Sequence, residues 1–157
     1  MFEVLIYLFE TYVHSGSEIS IDYKNLTSDL SDIGFRSKDI YKALHWLKNL
    51  SCCKKNIFLS INLSLNHTTN RIYTKKEEFK LNSDCRGFIL FLEELGILAL
   101  NTREIIIERI MALDISHVNI EDLKWIVLII LFNIPGCEVV YRKLENLLFN
   151  FKKEIVH

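Results

Sequence analysis

The run SKDIYKALHWLKNLSCCKKN at 37–56, followed by IFLSINLSLNHTTNRIYT at 57–74, decides which fold this chain is expected to take. In the first half Ile40, Ala43, Leu44, Leu47 and Leu50 recur at helical spacing. Ser37 suits an N-cap, and Asp39 sits in the first turn, where the helix dipole favours an acid. After Asn56 the period changes: Leu59, Ile61, Leu63 and Leu65 alternate with Ser60, Asn62 and Ser64, the pattern of a half-buried strand. Residues 66–70 are turn-like and Arg71 to Thr74 suit a returning strand, so a β-hairpin is expected between Ile57 and Thr74.

Upstream, Phe2, Leu5, Ile6, Phe9 and Val13 lie on one helical stripe that Ser15, Gly16 and Ser17 bring to an end. Glu18 to Asp22 alternates as a short strand would. Asn25 can cap a helix through Leu26, Leu30 and Ile33, with Gly34 as its stop. Helix, short strand, helix, tight turn, helix, hairpin is the order of a winged helix-turn-helix, so residues 1–74 are expected to form such a unit. Its third helix would present Arg36, Lys38, Lys42, His45 and Lys48 outward, with Lys54 and Lys55 beyond. Lysine and arginine so placed supply the sequence-independent attraction for phosphates, which makes these seven residues candidate nucleic-acid contacts. Trp46 reads as an anchor under the wing.

Downstream, residues 83–157 read as a helical unit sharing the core. Ser83 would cap a helix with Phe88, Phe91, Leu92 and Leu95 inward and Gly96 as its stop. Thr102 would cap another with Ile106, Ile110 and Leu113 inward and Glu108 and Arg109 outward. Trp125 to Phe132 is apolar all round and predicts an enclosed central helix, stopped by the chain's one Pro at 135. A last amphipathic helix runs from Val139 to Phe151. The fold class expected is therefore mainly α, with a winged-helix-like N-terminal unit carrying a small β-hairpin, packed on a C-terminal helical unit.

Composition bounds function. With 50% hydrophobic and 25% charged residues in 157, the chain can bury a core and is no disordered segment. Its net charge of −1 conceals a pattern: 1–35 carries −5, 36–56 carries +5, 57–80 adds +2, 81–138 carries −5 and the tail +2. Four Cys, two of them adjacent, make a poor disulfide framework, and Glu3 and Glu10 stand where a signal peptide would carry cations. Uncharged runs fall short of a membrane span, so a cytoplasmic location is expected.

Catalytic chemistry finds little to stand on. No Cys-x-x-Cys, phosphate-cradling Gly-rich loop, nucleophile elbow or His-Glu-x-x-His occurs. Cys52 and Cys53 could meet His45 and His67 only against the geometry of adjacent side chains. Cys85, at a helix N-terminus, has no base identifiable beside it. No enzyme, cofactor, metal or small-molecule substrate is expected. The pairs Arg103–Glu104 and Glu108–Arg109 read as solvated, or as marking a protein docking surface if their arginines are partly buried.

Several segments together, MFEVLIYLFETYVH, DIYKALHWL, RIYT, CRGFILFLEELGIL, TREIIIERIMALD and DLKWIVLIILFNIPGCE, resemble the bacterial Smg family. The likeness runs over nearly the whole chain and departs most in the added lysines at 36–56. It implies a small cytoplasmic protein of Gram-negative bacteria and brings no catalytic or binding residues with it. Two functional expectations follow from the residues: a non-enzymatic adaptor that binds another protein, or a nucleic-acid-binding module using the basic third helix and the hairpin.

Overall fold

The computed structural model describes the chain over 1–15, 23–61 and 71–155, with side chains over 1–12, 24–50 and 71–149. Its residues fall into two units, Met1–Asn49 and Leu50–His157. Among the described residues the backbone forms eight helices and no sheet.

The first unit holds α1 (Phe2–Ser15), α2 (Tyr23–Ile33) and the first half of α3 (Ser37–Ile61). Among the described side chains of α1, Val4, Leu5, Leu8 and Phe9 are buried, so the inner face is turned slightly from the predicted stripe: Leu5 and Phe9 are in, Phe2 and Ile6 are half-buried, and the side chain of Val13 lies outside the described residues. Leu26 and Leu30 are buried in α2, whereas Ile33, expected inside, is 52% exposed. Gly34 closes α2 at φ +107, where its N–H meets Ser31 O and the next N–H reaches back to Leu30 O. A side chain at that φ would be strained, hence the glycine. The α-amino group of Met1 lies 3.1 Å from the Asp39 carboxylate, and Tyr7 packs on Phe35 at 5.6 Å between ring centroids. These contacts tie α1 to the start of α3, whose Ile40, Ala43, Leu44, Trp46 and Leu47 are buried.

The expected β-hairpin and the winged-helix fold built on it are overturned. Residues 57–61, the first part of the predicted strand, continue α3 as helix, and 71–74 carry no strand. The remainder of the proposed hairpin, 62–70, and the short strand at Glu18 to Asp22 lie outside the described residues. Between Gly34 and Gly87 there is neither Gly nor Pro to interrupt a helix. Once a helix is nucleated each added residue gains a hydrogen bond cheaply, so the first residues of the alternation, 59–61, extend the helix instead of stopping it. Trp46, 3% exposed, is a core residue of the helical unit rather than a wing anchor.

The second unit is built on α4 (Lys75–Lys80), α5 (Ser83–Glu94), α6 (Leu100–Met111), α7 (Ile120–Asn133) and α8 (Glu138–Ile155). Helix α7 packs against α5, α6 and α8. Every residue from Ile126 to Leu131 is buried, as the all-round apolar sequence predicts. The caps follow local chemistry. Asn82 Oδ1 accepts from Cys85 N, Asn119 Oδ1 accepts from Asp122 N, and Thr74 and Glu77 form a reciprocal capping box at α4. Helix α6 begins at Leu100, ahead of the predicted cap; Thr102 is instead a buried first-turn residue, and Ala99 at the N-cap makes no side-chain bond. Gly96, at φ +67, lets Ile97 N–H return to Leu92 O and ends α5 as predicted.

The end of α4 meets the segment that leads into α7. Val118 N–H bonds Lys80 O at 2.9 Å, and Leu81 and Val118 form an isolated parallel bridge. Lys80, 8% exposed, directs Nζ onto Met111 O at 3.3 Å, in the last residue of α6, and Leu113 O at 2.6 Å, just beyond it, where a cation complements the helix dipole. Burial lowers the Lys80 pKa, and the carbonyl partners offset part of the cost of holding the ammonium there. Lys80→Met, which keeps the stem and removes the charge, is expected to cost about 1 kcal/mol in urea unfolding. No loss would mean that the carbonyls are equally well served by water.

Candidate functional site

In α5 the residues that face the core are Cys85, Ile89 and Leu92. Phe91 and Leu95, expected on that inner face with Leu92, are instead 42% and 50% exposed, and Leu90 is 48% exposed. Phe88 is half-buried and lies 6.5 Å from the Phe91 ring. Both helical phases of this segment are apolar, so the sequence pattern could not say which one turns inward. The result is an apolar ridge on the outer side of α5.

Behind the ridge stands a charged cluster drawn from three helices and the segment before them. Arg71 Nη1 and Nη2 donate to the Glu77 carboxylate at 2.9 and 2.8 Å, and its Nε donates to Glu104 at 2.8 and 3.0 Å. Arg103, 7% exposed, donates to Glu93 at 3.0 Å and to Glu104 at 2.9 Å. The Arg71 and Arg86 guanidinium groups lie 4.7 and 5.7 Å from the Tyr73 ring centroid, and Arg86 Nη1 is 3.6 Å from Glu78. The Arg71 hydrogen bonds pull the Glu77 carboxyl down to about 2, and reciprocally the Glu77 bonds hold the Arg71 guanidinium above its usual pKa. Burial raises the Tyr73 pKa. Chemically the cluster is a strut: its charges are paired with one another, and it holds α4, α5 and α6 in register behind the ridge.

The predicted pairs divide. Arg103 and Glu104 belong to this cluster, while Arg109 donates from Nη2 to Glu108 at 2.7 Å. Neither arginine is solvated. Arg103 and Arg109 are 7% and 8% exposed, so Arg109, expected to point out, is covered, and Glu104 and Glu108 are the members facing water. Sequence reading passed over Arg71, Tyr73 and Glu77, although the Thr74-x-x-Glu77 spacing is a capping-box signal that could have revealed α4.

Arg36, just before α3, and Lys38, His45 and Lys48 on it are exposed and Lys42 is half-buried, while the side chains of Lys54 and Lys55 lie outside the described residues. Arg36 Nε meets Asp39 at 3.1 Å. Tyr41, not singled out from the sequence, is 71% exposed and stacks on His45, with centroids 6.1 Å apart and planes 22° apart.

Cys85 is fully buried; its thiol donates to Val118 O at 3.3 Å, and burial pushes its pKa up, so it has the surroundings of a structural thiol and not of a nucleophile. Of the conceivable zinc group, Cys52, Cys53 and His67 have no described side chains. Among the described residues no three His, Cys, Asp or Glu side chains gather as metal ligands would, and no helix is long and apolar enough to cross a membrane.

These elements define a helical protein whose second unit is organised round one enclosed helix, α7. The chain belongs to the bacterial Smg family: the family model described as a protein of unknown function, DUF494, matches residues 1–157. It is 98% identical to Protein Smg of Buchnera aphidicola subsp. Schizaphis graminum and 71% identical to Protein Smg of Buchnera aphidicola subsp. Acyrthosiphon pisum, strain Tuc7. To Protein Smg of Escherichia coli O1:K1 it is 46% identical. Each alignment covers all of both chains. No solved structure matches the chain.

Proposed function

We propose that the protein is a non-enzymatic adaptor of the bacterial cytoplasm that binds another protein on the outer ridge of α5. The observation that carries this reading is the exposure of Phe91 and Leu95 together, one turn apart along α5, while Cys85, Ile89 and Leu92 of the same helix are already buried. A lone exposed leucine is ordinary, whereas neighbouring large apolar side chains on one helix face are the usual mark of a partner site. The paired charges behind the ridge favour the same reading, because a rigid backing lowers the ordering cost of association.

The test is affinity capture from native cytoplasm, with nuclease present, comparing the wild-type chain with Phe91→Asp/Leu95→Asp. A protein partner held by the wild type and lost from the double variant is expected, with thermal unfolding of the variant close to that of the wild type because both positions face water. An identical set of captured proteins from both chains would sink the proposal.

A further inference from the structure

We infer that the exposed face of α3 between Lys38 and Lys48 binds single-stranded nucleic acid. This goes beyond the protein contact proposed for α5 and rests on different residues.

Lys38, Tyr41, His45 and Lys48 follow one another at spacings of three, four and three residues, which places them on a single stripe of the helix about 15 Å long. All four are exposed, opposite the buried Ile40, Ala43, Leu44 and Leu47. Two cations thus bracket two flat rings. Tyr41, 71% exposed, is already stacked against His45, so an incoming base meets a platform whose upper surface is free to stack. Base–aromatic stacking accepts any base, while flanking ammonium groups hold the backbone phosphates.

The charge around the stripe fits a phosphate chain. From Arg36 to Asn49 the segment carries four Lys and Arg against one acid, Asp39. That carboxylate is occupied, by the Met1 amino group at 3.1 Å and by Arg36 at 3.1 Å, and these same partners hold its pKa below the ordinary value. No unmatched carboxylate of the segment therefore faces the ligand. The unit Met1–Asn49 as a whole has seven acids to five Lys and Arg, so attraction is confined to the stripe and long-range steering is weak. A duplex offers phosphates but no unpaired base to Tyr41, which is why the single strand is the ligand the geometry selects.

The experiment is a fluorescence-anisotropy titration of the full chain against a labelled oligothymidylate of about 15 nucleotides and against a duplex of the same length. Binding in the range of about 1 to 100 μM at low salt is expected for the single strand, with the duplex weaker. Lys38→Gln/Lys48→Gln should lower the slope of log affinity against log salt by about 1.4, at about 0.7 per single-strand phosphate contact. Tyr41→Ala should weaken binding about five- to hundredfold, and Tyr41→Phe should restore it, since the ring and not the hydroxyl stacks. Circular dichroism checks that each variant keeps its helix. No association up to about 100 μM, a Tyr41→Ala chain that binds like the wild type, an unchanged salt slope in the double variant, or a duplex bound more tightly than the single strand would each overturn the inference. Loss of the α5 ridge by Phe91→Asp/Leu95→Asp should leave this binding unchanged, so the two proposals fail separately.

Discussion

Replacing Leu128 by Ala is expected to destabilise the unit Leu50–His157 by about 2 to 5 kcal/mol. Leu128 is 3% exposed, near the middle of α7, and every neighbour from Ile126 to Leu131 is also buried. Truncation removes three carbons from a buried position on a helix packed against α5, α6 and α8, and helices held on several sides cannot all move in to refill the space. The cost therefore combines lost transfer free energy with a residual cavity. Guanidinium unfolding followed by far-ultraviolet circular dichroism measures it. Val139→Ser, at a position 65% exposed, is the control and should stay within about 0.5 kcal/mol of wild type. A Leu128→Ala cost that small would mean that α7 is not the centre of the core.

The charged cluster predicts a stability that depends on pH. Arg71→Met is expected to lower stability at pH 7 by about 1.5 to 3 kcal/mol, because it strips charge-assisted bonds from both Glu77 and Glu104. Arg103 still serves Glu104 in the variant, so Glu77 is the carboxylate left exposed to the loss. In the folded wild type Glu77 titrates at about 2, below its ordinary value of 4.5. A depressed carboxyl pKa contributes stability that is complete above the unfolded value and disappears as the pH falls through the folded one. The wild-type advantage should therefore be constant above pH 4.5 and shrink between pH 4.5 and about 2. Urea unfolding of both chains across that interval gives the difference directly. A gap that persists unchanged at the acid end would assign the effect to guanidinium packing over Tyr73 instead of to the ion pair.

Several features of the fold were open to a reader of the sequence because they depend on a few neighbouring residues. Gly34 and Gly96 stop α2 and α5 since only a residue without Cβ enters positive φ easily there. Ile40, Ala43, Leu44 and Leu47 sit inside because their opposite face is charged, leaving one orientation that keeps lysine wet. Trp125 to Phe132 has no polar face and had to be enclosed. The hairpin failed for a complementary reason. Alternation over 59–65 is a local preference of small magnitude, and the helix arriving from Ser37 overrode it at least as far as Ile61.

The functional surfaces were only half legible. Lys38, His45 and Lys48 could be placed on the outside of their helix from spacing alone, but Tyr41 joins them on that stripe only once its exposure is known. The α5 ridge was hidden because Phe91 and Leu95 are as apolar as Ile89 and Leu92, and a period of 3.6 residues fits either set to the core. The burial of Arg103 and Arg71 could not be read from spacing, since the carboxylates that accept from Arg103 include Glu93, ten residues away, and those that hold Arg71 include Glu104, thirty-three away. Sequence by itself determined which segments are helices with strong stops, which helix must be enclosed and which is basic, because those depend on side chains within a turn or two. Tertiary structure alone decided which apolar phase of α5 faces water and which charges are buried in pairs. Those outcomes turn on the surfaces that other helices bring up against a residue, and spacing along the chain carries no record of them.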